Sequence, residues 1–157
     1  MDFLDQRKIG SWIIEVDTKK TKDFYEQYHL ITEGCECNYC ANYVLACDQL
    51  PEEIKILFNS LGIDPRKEGE VSEYMKNEDG THLYGVFYHV VGRIIKGPQL
   101  WVPNMESSEV FSPNFEKYFD VEIGFSDEIS LVPEGFPTPI IQFEVQMNVP
   151  WVLTCDC

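Results

Sequence analysis

The chain has few positive charges. Twelve Lys and Arg stand against 27 Asp and Glu in 157 residues, a formal net charge of −15. From Pro98 onward Lys117 is the one basic residue, against ten acidic ones. Such a surface repels phosphate backbones, which argues against direct nucleic-acid binding. It attracts and steers a basic protein partner.

Histidine is scarce too. His29, His82 and His89 are the three in the chain, which leaves little imidazole for general acid–base chemistry. There is no glycine-rich phosphate loop, no nucleophile elbow and no His-Glu-x-x-His pattern. The Cys37-x-x-Cys40 pair lacks the preceding proline and upstream His-x-Glu of a zinc deaminase. No run approaches the roughly 20 apolar residues of a spanning helix. Met1–Lys8 has no basic region leading into an apolar one, so a secretory signal is not expected there. The expectation is a cytoplasmic protein without membrane association; these absences favour a binding role over catalysis and leave the enzyme question open.

What is present suffices for a core. Hydrophobic residues make up 44% of the chain, with ten Phe, eight Tyr and three Trp. A chain of this length fits one domain, residues 1–157. Gly10–Asp17 is β-branched and aromatic and predicts a strand. Thr18 or Thr21 is placed to cap a helix running to about His29. A helix is expected from Asn38 to about Gln49. A clearer one opens at Pro51, with Ile54, Leu57, Phe58 and Leu61 on one stripe and Gly62 placed to end it.

After Gly62 the pattern turns to β. Glu70–Met75 and His82–Ile95 flank Asp79-Gly80, a hairpin signal. Phe119–Phe125 and Ile140–Met147 read as further strands, and Pro103–Pro113 as a polar surface loop. The expected fold is α+β: an antiparallel sheet of about five strands with the N-terminal helices packed on one face.

The densest motif is Cys35-Glu-Cys37-Asn-Tyr-Cys40. Thiolates are soft donors that suit zinc, which takes four such ligands or a mixture with imidazole. The first turn of a helix from Asn38 brings the sulfurs of Cys37 and Cys40 together, and Cys35 can add a third. Cys47, seven residues past Cys40, lies about 10 Å further along a helix. The pair Cys155 and Cys157, or His89, remains as a source of the fourth ligand. Redox or inert thiols are the alternatives to metal.

The run Cys35–Tyr43, Leu61-Gly-Ile-Asp-Pro65 with Glu70-Val71, Asn77-Glu-Asp-Gly80, Leu83-Tyr-Gly with Phe87-Tyr-His89, and Pro150-Trp-Val-Leu153 together resemble a family of uncharacterised proteins from Gram-positive bacteria and their mobile elements. The resemblance implies a cytosolic bacterial or phage setting and no particular activity. It also implies that Cys35, Cys37, Cys40 and His89 belong to one pattern, which makes His89 the favoured fourth zinc ligand. Two functional readings follow. One is a non-catalytic acidic binding protein stabilised by structural zinc, of the kind seen in inhibitors, immunity proteins and anti-defence proteins. The other is a cysteine-based redox or metal-dependent enzyme or sensor.

Overall fold

The computed structural model describes residues 4–28, 37–67, 70–103 and 111–153. Its architecture is α+β, with three α-helices among the described residues and a mainly seven-stranded antiparallel sheet. The helices are α1 (Thr18–Gln27), α2 (Asn38–Ala46) and α3 (Glu52–Leu61). The strands are β1 (Asp5–Ile9), β2 (Trp12–Val16), β3 (Glu70–Lys76), β4 (His82–Lys96), β5 (Trp101–Pro103), β6 (Phe111–Pro113), β7 (Glu116–Tyr118), β8 (Val121–Ser126) and β9 (Ile140–Val149). The main sheet runs β1-β2-β4-β9-β8-β7, with β3 also on β4; β5 and β6 form a separate pair.

The sheet is wider than the five strands expected. Gly10, with φ of 59°, turns the N-terminal segment back as β1 against β2. The polar sequence Asp5-Gln-Arg-Lys hides that strand from pattern reading. The ends of the expected 103–113 loop also lie in strands, Pro103 pairing with Phe111.

Alternation sorts side chains between the two sheet faces. Tyr84, Val86 and Tyr88 of β4 and Phe143, Val145 and Met147 of β9 are buried on the inner face. Helices α2 and α3 cover them. Phe58 of α3 meets Tyr88 at 5.1 Å and Phe143 at 6.0 Å between ring centroids. Tyr43 of α2 packs on Tyr84 at 5.6 Å, and its hydroxyl bonds that of Tyr88. The α3 stripe Ile54, Leu57, Phe58, Leu61 is buried as its spacing predicts. Each such side chain contributes about 1.5–3 kcal/mol by leaving water. Gly62, in the left-handed region, ends α3.

Helix α1 is capped by Asp17, whose carboxylate accepts from the Lys20 amide at 2.9 Å, and not by a threonine. Thr21 serves the sheet instead. On one side, β4 pairs with β3 as far as Phe87 and with β2 from Gly92 onward. Between them the strand edge would be left without partners. The Tyr25 hydroxyl donates to the His89 carbonyl and accepts from the His89 amide, both at 3.0 Å. Thr21 Oγ1 accepts from the Val91 amide at 2.9 Å, and the Val91 carbonyl accepts from the Asp17 amide at 2.8 Å. Removing a partner from buried backbone groups costs about 1–3 kcal/mol. Tyr25→Phe is therefore expected to lower unfolding free energy by that amount in urea titration. Removing the same hydroxyl at exposed Tyr74 should change it by less than about 0.5 kcal/mol.

Candidate functional site

The outer face of the sheet is not simply solvated. Register places Glu70 of β3 opposite Phe87 of β4, Phe87 opposite Glu144 of β9, and Glu144 opposite Gly124 of β8. One row across the face therefore reads Glu70–Phe87–Glu144–Gly124. The next reads Ser72–Gly85–Gln146–Glu122. Over these rows lies a cleft of about 580 Å³, within the range of ligand-binding cavities.

Its walls are aromatic. Trp101 of β5 and Phe111 of β6 stand on one side, and Tyr74 and Phe87 line it from β3 and β4. An irregularity between Glu73 and Met75 makes Tyr74 an extra residue in β3. Its ring lies so close over Gly85 that a Cβ there would strike it. Leu100 is held in the same way over Gly124, which seats the β5 segment on the sheet.

Three carboxylates line the cleft: Glu70, Glu128 and Glu144. Glu144 is the buried one, 8% exposed. Its Oε2 accepts from the Trp101 indole N–H at 2.9 Å. Burial raises its pKa, against the lowering effect of hydrogen bonds from Trp101 and Gln142. Tyr74 is raised too, first by burial and then by the charges of Glu144 and Glu70.

His89 lies further along the same face as Phe87. Its Nε2 bonds the Ser130 carbonyl at 2.9 Å, and Ser130 N in turn donates to Gln142 at 2.8 Å. The ring is fully buried beside Phe87 and Phe136. Nδ1 has no hydrogen-bond partner among the described residues. Burial lowers the pKa of His89, against raising contributions from Ser130 and Gln142.

The cysteines are elsewhere. Cys37 caps α2, its Sγ accepting from the Cys40 amide at 3.4 Å, and is exposed. Cys40 is buried. Both belong to the helical layer on the inner face, whereas the His89 ring projects from the outer one. The structure thus does not bring His89 to Cys37 and Cys40. Among the described residues no three of His, Cys, Asp and Glu are gathered as a metal would need. Cys35, Cys155, Cys157 and His29 lie outside the described residues. His82 is buried, with Nδ1 3.3 Å from Glu73 and its ring 4.5 Å from that of Trp151. Cys47 is buried, and desolvation pushes its thiol pKa far up.

Of the second-half carboxylates, Glu128 enters the cleft and Glu122 shares its face. Glu116 is bound to the Ser11 amide at 2.8 Å, and Glu106 and Glu109 lie outside the described residues. Sequence reading missed Glu70, Glu144, Tyr74 and Trp101 as site residues. One signal was present: Ile141, Phe143, Val145 and Met147 alternate with Gln142, Glu144 and Gln146. Glu144 is the one charged residue of this strand, set between two glutamines on the face opposite the apolar one.

Comparison of the chain with protein-family models, with curated proteins and with solved structures finds no match.

Two outcomes follow. Cys47 should stay unreactive toward a thiol reagent at pH 8 until the protein unfolds, because its thiolate fraction is negligible. The raised pKa of Glu144 means that the folded state holds its proton more tightly than the unfolded chain. That contribution is present below the ordinary carboxyl range and is lost as pH rises through the folded value. Glu144→Gln should therefore raise the melting temperature at pH 7 relative to wild type. The gain should shrink toward zero as pH falls through the carboxyl range.

Proposed function

We propose that this chain is a non-catalytic, acidic binding protein acting in the cytoplasm, which recognises a basic protein through the outer-face cleft. The observation behind this reading is Glu144, a carboxylate held under aromatic cover at a cost in folding free energy. An ordinary solvated acid needs no such placement, and binding sites are where such strain is retained. The net charge of −15 adds long-range attraction for a basic partner. No helix among the described residues is long and apolar enough to cross a membrane.

A display library of random peptides tests the reading. Lys- and Arg-rich sequences should be enriched, and the enrichment should disappear in a Glu70→Gln, Glu128→Gln, Glu144→Gln triple variant. Association should slow steeply with salt, since charges are screened beyond about 8 Å at physiological ionic strength. Enrichment of neutral or acidic peptides would refute the reading.

Structural zinc on Cys35, Cys37 and Cys40 belongs to the same proposal. With His89 on the other face, the fourth sulfur is assigned to Cys155 or Cys157. The support is local. Asn42 of α2 accepts from the Val152 amide at 2.7 Å and donates to the Pro150 carbonyl at 3.1 Å. Cys155 follows Val152 by three residues, a span of at most about 10 Å. Cys37 lies five residues before Asn42, about 7.5 Å along the helix axis. Metal analysis decides it. Cys37→Ser should lose zinc and melt earlier, because binding energy in such sites is folding energy, whereas His89→Gln should keep its zinc. Metal-free wild-type protein would remove zinc from the account.

The alternative of a cysteine-based sensor or enzyme draws on one feature, the exposed Cys37 at a helix N-terminus, where the thiolate is favoured.

A further inference from the structure

We propose that the Glu70–Phe87–Glu144 row is the receptor for one arginine side chain of the partner, its guanidinium stacking on Phe87 between the two carboxylates. The inference rests on the reading of the protein as a binder of basic partners, and adds which residue type is read and where.

The register supplies the spacing. Neighbouring strands lie about 4.8 Å apart, so the backbones of Glu70 and Glu144 stand about 10 Å apart with Phe87 between them. All three side chains leave the same face, because directly paired residues do so. An aromatic ring flanked by two acids suits a planar cation with donors on both edges. A guanidinium stacks on aromatic faces, is weakly hydrated and presents a fork of N–H groups to carboxylates. A lysine ammonium is a compact, strongly hydrated point charge that uses such a row poorly.

Glu144 keeps acceptor capacity for this role. A carboxylate offers about four lone-pair sites, and Trp101 and Gln142 occupy one each. The Trp101 bond fixes the carboxylate before the ligand arrives, which reduces the ordering required on binding. Glu144 is itself buried, so its side of the ion pair forms in a medium less polar than bulk solvent. The cleft volume of about 580 Å³ exceeds one side chain, leaving room for the residues that flank the arginine.

Occupancy is linked to pH. The cation needs ionised Glu144 and displaces its proton, so affinity should rise through the carboxyl range and level off above it. The other groups facing this carboxylate are Glu70 and Tyr74 of β3, Glu128 after β8, and His89 further along β4. Among the described residues, β5 and β6 bring no titratable group.

The experiment uses three blocked tripeptides, acetyl-Gly-X-Gly-amide, with X arginine, lysine or citrulline. Citrulline keeps the shape of arginine and removes its charge. Affinities are read by chemical-shift titration of the full chain and by Trp fluorescence. Arginine should bind tightest, lysine at least fivefold weaker and citrulline at least tenfold weaker. Glu144→Gln and Glu70→Gln should each weaken the arginine peptide at least fivefold. Glu122→Gln, on the same face outside the cleft, should change it less than twofold. Glu70 is exposed on β3, so its variant remains informative if Glu144→Gln folds poorly. Equal affinity for arginine and citrulline, wild-type affinity in Glu70→Gln, or no binding at millimolar peptide overturns the inference. If basic peptides are still enriched from the library in those cases, the broader reading stands without the arginine receptor. If they are not, both fail.

Discussion

The fold depends on how one edge of β4 is satisfied. A strand of 15 residues is long enough to need two partners end to end on the same side, β3 first and β2 afterwards. Two strands cannot meet there without a break, and buried backbone groups in the break must still find partners. The hydroxyls of Tyr25 and Thr21 and the backbone of Asp17 fill it. These groups lie in or at the start of α1, so the same bonds fix that helix to the sheet. Asp17 also caps α1, so helix initiation and sheet completion are one local arrangement. Glu70, the first described residue of β3, lines the cleft.

The two faces of the sheet use the same alternation for different ends. The inner face is a dense aromatic core under α2 and α3, where Tyr43 packs its ring on Tyr84 and bonds the Tyr88 hydroxyl, and the Tyr84 hydroxyl accepts from the Asn42 amide. The outer face carries polar residues at matching positions of β9 and, among the described residues, is only partly covered. The β5–β6 pair stands on it because Gly124 makes room for Leu100. A full cover would have left Glu144 with a large desolvation penalty. No cover would have left it an ordinary surface acid. Under this cover Glu144 is buried and its carboxylate is oriented by the Trp101 indole N–H.

The helices and long strands were legible because their signals are local. The stripe of α3, its glycine stop, the Asp79-Gly80 turn and the apolar length of β4 are all fixed by neighbours within a few residues. What escaped had either a weak local pattern or partners far along the chain. β1 is polar and becomes a strand through pairing with β2. The short strands at 101–103 and 111–113 are defined by each other across a long connection. Thr21 looks like a cap in sequence and is instead spent on β4, which nothing near it announces. His82 packs against Trp151, far along the chain, which nothing near it in sequence announces. The cleft was least legible of all, since Glu70, Phe87 and Glu144 become neighbours only through two strand registers.

That same dependence on register argues that the cleft and the cysteine motif are separate devices. Cys37 and Cys40 sit at the start of α2, in the layer that packs on Tyr84, and Asn42 of that helix holds the segment Pro150–Val152. This assembly closes the end of the inner layer where β4 begins and β9 ends, His82 being paired with Val149. The cleft lies through the sheet from it, on side chains of opposite parity. A thiol or metal event at Cys37 therefore has no direct contact with Glu144 and reaches it only by moving strands. A sheet packed at core density resists such movement. The physical division is between an inner, cysteine-bearing end and an outer face whose cleft is lined by Glu70, Glu128 and Glu144.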